Sequence, residues 1–490
     1  DGTTPYDPSG SGWAGPSLYD LNDDGAPEIL RGGIVLDNNG VLVDASLGLL
    51  PYSAGIFAVV ANVDGDPAVE LVAGHGVWEW TGATWTPEAY ATGGTPAGHV
   101  ALADFGDFPG GAAWPADAPE IAVVSAGEVR VQTLDGTILF GPIAIPAGGS
   151  GGPPTIADFD GDGRPEFASA GASAYAVFDL DCLGVPVGEC PTGSSTGVLW
   201  SQRSQDASSN VTGSSVFDFE GDGVAEVVYG DECFVRVYSG RTGDVLFSQS
   251  RSSCTWYENP VIADVDGDFN AEIIIGDNFN CGSADTGRDC SGFGLGPRNT
   301  DPIFAGLRCS EDADCLSASC DMGICRCTDD SQCCSGAGCA RAAFVCEAPP
   351  AGTPGTGNTC RASRPRGTLG VRVYRDAADR WVGSRRIWNQ HAYHGTNVFD
   401  DGSLPTDEAL PWLDAATGGF RRATPVVALP DVALELSPEC SGGWLLARVK
   451  NVGGARLPAG TVTAVFHAGD ASGPIAAERV VSVPLSPGDV

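Results

Sequence analysis

Short apolar runs alternate with polar, turn-forming segments along the chain. After Pro260, Val261-Ile-Ala263 enters an acidic loop and Glu272-Ile-Ile-Ile275 leaves it, which predicts two short strands. In the preceding unit Phe234-Val-Arg-Val-Tyr238 alternates inward and outward positions, the period of a half-buried strand. A turn at Ser239-Gly-Arg-Thr-Gly243 leads to a fourth apolar run, Val245-Leu-Phe247. Four antiparallel strands of this kind make one sheet.

The acidic loop recurs six times, beginning at Asp20, Asn62, Asp104, Asp158, Asp218 and Asp264, at spacings of 42, 42, 54, 60 and 46 residues. A period near 40 to 50 residues with several short strands per unit predicts a β-propeller. The expected fold is all-β: a six-bladed β-propeller over residues 1–428, or seven-bladed if the segment His394–Gly402 is a degenerate unit. The longer spacings have visible causes. The third loop is interrupted by Pro109-Gly-Gly-Ala-Ala-Trp-Pro115, and the fourth unit carries an excursion between Cys182 and Cys190. The sixth blade is split by an insertion at 278–368 and resumes at Gly370-Val-Arg-Val-Tyr374. Within it, residues 309–360 read as a disulfide-stapled module with too little apolar core to fold without cross-links. Residues 429–490 read as a β-sandwich, with strands at Asp431–Leu436, Trp444–Gly453 and Thr461–His467. This segment is shorter than a full sandwich, so the natural protein is expected to continue and to supply a partner for Cys440. The start, without an initiating Met or signal-like segment, is expected to be a processed end.

Composition narrows the class. With 69 glycines and 34 prolines but 42% hydrophobic residues, the chain is turn-rich and globular. No apolar run approaches 18 residues, so no membrane-spanning helix is expected. A net charge of −37 argues against nucleic acid. Seventeen cysteines place the chain in an oxidising, extracellular compartment. Local spacing suggests the pairs Cys182–Cys190, Cys233–Cys254 and Cys281–Cys290. A zinc site among Cys309–Cys360 is disfavoured, because that stretch holds no histidine and no two neat CxxC pairs.

The loops carry the main chemistry. In Asp158-Phe-Asp160-Gly-Asp162-Gly-Arg164-Pro-Glu166, oxygen donors stand at positions 1, 3, 5 and 9, with Arg164 offering a backbone carbonyl at position 7. Calcium takes six to eight such oxygens, whereas four carboxylates this close repel one another without a cation. The fifth loop repeats the set with Asp218, Glu220, Asp222, Val224 and Glu226, and the sixth with Asp264, Asp266, Asp268, Asn270 and Glu272. The first offers Asp20, Asn22, Asp24 and Glu28. The second offers Asn62, Asp64, Asp66 and Glu70, with Pro67 where a turn glycine is expected. The third retains only Asp104 and Glu120, with Gly106 at position 3. Five calcium ions are therefore expected, and a sixth if the third loop forms. The competing reading is six Asx-rich turns with no metal. Magnesium fits less well because it resists full dehydration, and an EF-hand would place its acid at position 12 before a helix.

The run Ile156-Ala-Asp158-Phe-Asp160-Gly-Asp162-Gly-Arg-Pro-Glu166-Phe resembles the FG-GAP (VCBS-type) repeats of integrin α-subunit propellers and secreted bacterial proteins. The resemblance covers about residues 13–400 without the insertion. It implies calcium loops on one rim of a propeller, most often seven-bladed in that family. Ser384-Arg-Arg-Ile-Trp-Asn-Gln-His391-Ala-Tyr-His394 looks like a segment of large secreted bacterial proteins with these repeats. The part after Pro430 is similar to a bacterial cell-adhesion-related immunoglobulin-like domain, through Val449-Lys-Asn-Val-Gly453.

The functional expectation is a secreted or cell-surface, calcium-stabilised module with an adhesive or structural role. Its partner is a protein or glycan at the cell surface, or further copies of itself in an appendage. The alternative is a carbohydrate-binding lectin, with Trp78 and Trp80 as the aromatic pair. A less favoured alternative is a polysaccharide lyase or hydrolase using His391 or His394 as base; packing at the end of the propeller accounts better for those histidines. Tyr238–Phe247 faintly resembles blades of quinone-cofactor dehydrogenases, but its composition is generic. No serine or cysteine nucleophile stands out.

Overall fold

The computed structural model describes residues 15–485 apart from 51–56, 92, 107–117, 185–188, 279–304, 334–343, 350–352, 363–369, 378, 414–417, 427–431, 440–443, 452–456, 458 and 469–472. The chain is all-β and dominated by antiparallel sheets whose strands follow one another in sequence order. The first sheet comprises Ser17–Tyr19, Glu28–Arg31, Ile34–Leu36 and Leu42–Asp44, and the second Val59–Ala61, Glu70–Ala73, Gly76–Trp80 and Trp85–Pro87. The third comprises His99–Ala103, Glu120–Ser125, Glu128–Gln132 and Ile138–Ala144; the fourth Thr155–Ala157, Glu166–Ala170, Ala174–Phe178 and Val198–Arg203. The fifth comprises Ser214–Phe217, Glu226–Gly230, Phe234–Tyr238 and Val245–Ser250. The sixth has three strands, Val261–Ala263, Glu272–Asp277 and Gly370–Tyr374. Its second and third strands are therefore separated by more than ninety residues of sequence yet pair directly, Ile273 with Tyr374 and Asp277 with Gly370.

Apolar residues on the sheet faces join neighbouring sheets. Leu30 and Val35 meet Leu71 and Trp80 between the first two sheets. Val72, Ile121, Phe140 and Phe167 form a core spanning the second to the fourth. Tyr175, Trp200, Val227 and Tyr238 link the fourth to the fifth, and Val228, Val235, Ile273 and Ile275 the fifth to the sixth. Each fully buried side chain of this size contributes about 1.5–3 kcal/mol of transfer free energy. First strands of the third and fourth, fourth and fifth, and fifth and sixth sheets lie side by side. Because both faces are covered, Phe234–Tyr238 is buried at all five positions rather than alternating. Arg236 accepts that burial by lying over the Phe234 ring at 3.9 Å and pairing with Asp231 at 3.4 Å.

Residues 382–413 and 418–423 run past several sheets with little regular structure, and no strand covers His394–Gly402. Leu18 of the first sheet donates its amide to Gln390 Oε1 at 2.8 Å. Ile156 of the fourth sheet exchanges backbone hydrogen bonds with Phe420 at 3.0 Å each way, and Val216 of the fifth bonds Arg421 O and Ala423 N. Asp264 and Ala271 of the sixth donate their amides to Arg385 O and Val382 O. One irregular segment thus holds the first and last sheets.

The Cys-rich module pairs Cys320–Asp321, Ile324–Cys327, Asn358–Ala362 and Phe344–Glu347 in one sheet. Cys309–Cys320, Cys315–Cys325, Cys327–Cys346 and Cys333–Cys360 staple it. Cys182–Cys190 is formed as expected. The Cys233–Cys254 pairing is not: Cys233 is in a disulfide, whereas Cys254 is a free thiol. The hairpin register sets Arg251 opposite Cys233, with its amide donating to the Cys233 carbonyl at 2.9 Å. Cys281, Cys290 and Cys440 lie outside the described residues. Near the C-terminus Val432–Glu439 pairs with Trp444–Asn451, and Thr463–His467 pairs with Ile475–Val480, a strand not read from the sequence.

Candidate metal centres

Each acidic loop joins the first strand of its sheet to the second, and one hydrogen bond recurs in all six. The closing glutamate, at position 9 in five loops and Glu120 in the interrupted third, turns back and accepts the amide of position 2 through Oε2. The pairs are Leu21–Glu28 (2.7 Å), Val63–Glu70 (2.9 Å), Phe105–Glu120 (2.9 Å), Phe159–Glu166 (2.7 Å), Phe219–Glu226 (3.0 Å) and Val265–Glu272 (2.9 Å). The third loop therefore keeps this latch across its interruption. Its first two strands pair Ala103 with Glu120, which fixes Glu120 beside Phe105 whatever the length between them.

Position 1 organises the turn. Asp158 accepts Gly161 N and Gly163 N, Asp218 accepts Gly221 N and Gly223 N, and Asp264 accepts Gly267 N and Phe269 N. The turn needs positive φ at Gly161 (84°) and Gly163 (88°), where a Cβ is disfavoured. Phe269 adopts φ 75° at the equivalent of Gly163. Position 5 accepts the position-7 amide in five loops: Asp24 from Ala26, Asp66 from Ala68, Asp162 from Arg164, Asp222 from Val224 and Asp268 from Asn270. Pro67 removes the position-6 amide that position 1 accepts in the fourth, fifth and sixth loops, and in the second loop Asn62 Oδ1 accepts the Gly65 amide.

Burial divides the donors into a floor and a mouth. Asp20, Glu28, Glu70, Glu166, Asp218, Glu226, Asp264 and Glu272 are buried, while Asn22, Asp24, Asp66, Asp162, Glu220, Asp222 and Asp266 are exposed. Carboxylate oxygens of Asp158, Asp160 and Glu166 lie within 4.8 Å of one another. Burial is the largest cause lifting the position-9 acids: Glu70 to about 8, Glu272 to about 7, Glu166 well above the carboxylate range, and Glu28 and Glu226 upward. Neighbouring loop carboxylates add to each rise, Asp160 foremost for Glu166. Two oxygens are stranded. Glu70 Oε1 and Glu272 Oε1 are buried with no hydrogen-bond partner among the described residues, although the other oxygen of each is latched. A hard divalent cation satisfies such oxygens and keeps the acids ionised.

Several neighbours of the loops were not read from the sequence. Asp179, directly after the third strand of the fourth sheet, is raised to about 6 by burial and by Asp181. Arg164 engages with its side chain, pairing with Asp162 at 3.1 Å and with Asp181. At the sixth loop Arg386 sits 3.1 Å from Asp264, and Arg375 lies 3.6 Å from Asp266. Glu88 gathers with Asp64 and Glu70 at the second. Part of this was legible in principle: antiparallel order returns the end of each third strand to the loop end of its sheet, where Asp179 and Arg375 begin.

The histidines lie elsewhere. His391 stacks on Phe57 at 3.6 Å; its Nδ1 accepts from Arg421 Nε at 3.2 Å, so Nε2 donates to Tyr257 O at 2.8 Å. His394 is buried, with Nε2 2.6 Å from Glu408 Oε1 and Nδ1 3.0 Å from Ala392 O. Trp80 is buried against Trp85 at 4.9 Å, leaving Trp78 partly exposed without its intended partner.

No family model matches the chain, and no curated protein does. Among solved structures, the V. cholerae biofilm matrix protein Bap1 is 16% identical, with a TM-score of 0.47 over 84% of this chain and 85% of that one. An Agrocybe aegerita lectin specific for non-reducing terminal N-acetylglucosamine is 16% identical, with a TM-score of 0.32 over 55% and 79%. The WD40 domain of SCAP from fission yeast is 12% identical, with a TM-score of 0.27 over 52% and 61%.

Proposed function

We propose that the chain is a secreted or cell-surface, calcium-stabilised β-propeller of FG-GAP type that serves as an adhesive or structural module. The observation that carries the calcium reading is the pair of stranded oxygens, Glu70 Oε1 and Glu272 Oε1, each buried at the floor of an acidic loop. In this reading calcium is held by positions 1, 3, 5 and 9 with the position-7 carbonyl, in the first, second, fourth, fifth and sixth loops. The third loop, with Asp104 and Glu120, is the weakest site. The ion supplies charge compensation and a cross-link between first and second strands. In this reading the six sheets are the six blades of a ring, a reading supported by the bond between Gln390 of the irregular segment and Leu18 of the first sheet.

The role is mechanical rather than catalytic. Bound calcium and disulfides both favour the folded chain over the unfolded one outside the cell. His391, with both ring nitrogens engaged, is assigned to packing. The test is thermal unfolding of the full chain in excess calcium and in excess chelator. A markedly lower melting temperature in chelator is expected, and an unchanged one refutes the calcium reading. Electron microscopy of the same preparations tests assembly, with calcium-dependent filaments or clusters as the expected result.

A further inference from the structure

The second loop differs from the other five at position 1. A neutral Asn62 stands where the others carry Asp20, Asp104, Asp158, Asp218 and Asp264. Its side chain is consumed within the loop: Oδ1 accepts Gly65 N at 2.9 Å and Nδ2 donates to Asp66 O at 2.5 Å. Asp64, Asp66 and Glu70 therefore leave this loop one negative charge short of Asp158, Asp160, Asp162 and Glu166 in the fourth.

A carboxylate arrives from outside the loop. Glu88 follows the fourth strand of the same sheet, and its amide is fixed by Val77 O at 2.9 Å. Carboxylate oxygens of Glu88, Asp64 and Glu70 all lie within 4.8 Å of one another. Glu70 is 0% exposed, and its Oε1 is the stranded oxygen of this site. Three acids converging on a buried oxygen that lacks a donor are mutually repulsive unless a cation or shared protons lie among them. The donors are all oxygens, which selects a hard divalent ion, and calcium accepts the irregular geometry of a ligand from a separate strand.

We propose that Glu88 is a ligand of the cation in the second loop, supplying from the fourth strand the charge that Asn62 lacks. The inference rests on the calcium reading above and adds a ligand that the repeat itself does not encode. Site affinity follows ligand charge count, so loss of Glu88 weakens this one site by at least about tenfold.

The experiment is calorimetric titration of the full chain with calcium chloride. It compares the wild type with Glu88→Gln, Glu70→Gln, the double variant, and Glu88→Gln combined with Asn62→Asp. Glu88→Gln should weaken one site and leave the rest. The double variant should lose no more sites than Glu70→Gln alone. Asn62→Asp should restore most of the lost affinity, which also shows that the Glu88→Gln chain is folded. If Glu88→Gln titrates like the wild type while Glu70→Gln loses a site, the Glu88 assignment is overturned and the calcium reading stands. The assignment also fails if Glu88→Gln and Glu70→Gln affect different sites. A wild-type chain that takes up no calcium overturns both.

Discussion

Glutamine at position 70 separates a calcium site from a bare turn by the sign of its effect. The Glu70 carboxyl is wholly buried, latched to Val63 N by one oxygen and stranded at the other. Without metal, burial holds it to about 8 against an ordinary 4.5. Such an acid contributes its full stability below about pH 4.5 and loses it as pH rises through about 8. At pH 7 the cost of this mismatch is on the order of 3 kcal/mol, at 1.36 kcal/mol per unit. Glu70→Gln keeps an acceptor for Val63 N and turns a donor towards Asp64 and Glu88, so it removes the cost. In chelator at pH 7 the variant should therefore melt several degrees higher than the wild type, with the advantage vanishing below about pH 4.5. In calcium at about a thousand times the site's Kd, the wild type gains about 4.1 kcal/mol that the variant forfeits, and the order reverses. Calorimetric or fluorescence melting of both chains in both media reads the two signs. A variant more stable than the wild type in calcium and chelator alike would refute the site.

Two other expectations concern regions away from the loops. His99 is held down to about 3 by burial and by the nearby Arg421, so it contributes stability above about pH 6.5 that is lost as pH falls towards 3. Urea midpoints from neutral to acid pH should fall less steeply for His99→Gln than for the wild type; parallel curves would contradict this. Alkylation of the native, unreduced protein followed by peptide mass mapping should mark Cys254 and spare Cys233; the opposite pattern would restore the local pairing.

The strands and loops were legible in the sequence because they depend on local chemistry. Glycine at positive φ, aspartate accepting amides two to five residues on, and glutamate latching position 2 are all encoded within nine residues. What was not legible depends on the meeting of distant segments. Arg236 reads as an outward position until the next sheet covers it. Glu88 has no counterpart in the repeat, and its role emerges only when the fourth strand folds back beside the third. Cys233 is disulfide-bonded while the nearby Cys254 is free, a choice of partner that sequence spacing does not encode. The stretch around His394 resembled a weak seventh unit because its Asp and Gly residues match the loops in composition, yet it forms no strand.

The irregular segment that touches both the first and last sheets also sets an order of events. Leu18 and Gln390 are 372 positions apart, and Arg421 donates to the carbonyl of Pro154 from 267 positions away. Closing contacts at such separations pays loop entropy long before it is rewarded, so they form late. A chain made or exported from its N-terminus keeps the polar edge of its first strand unmatched until nearly four hundred further residues have followed. During that interval, the strand is open to pairing with a neighbouring copy, and the arrival of Gln390 is the step that ends the exposure.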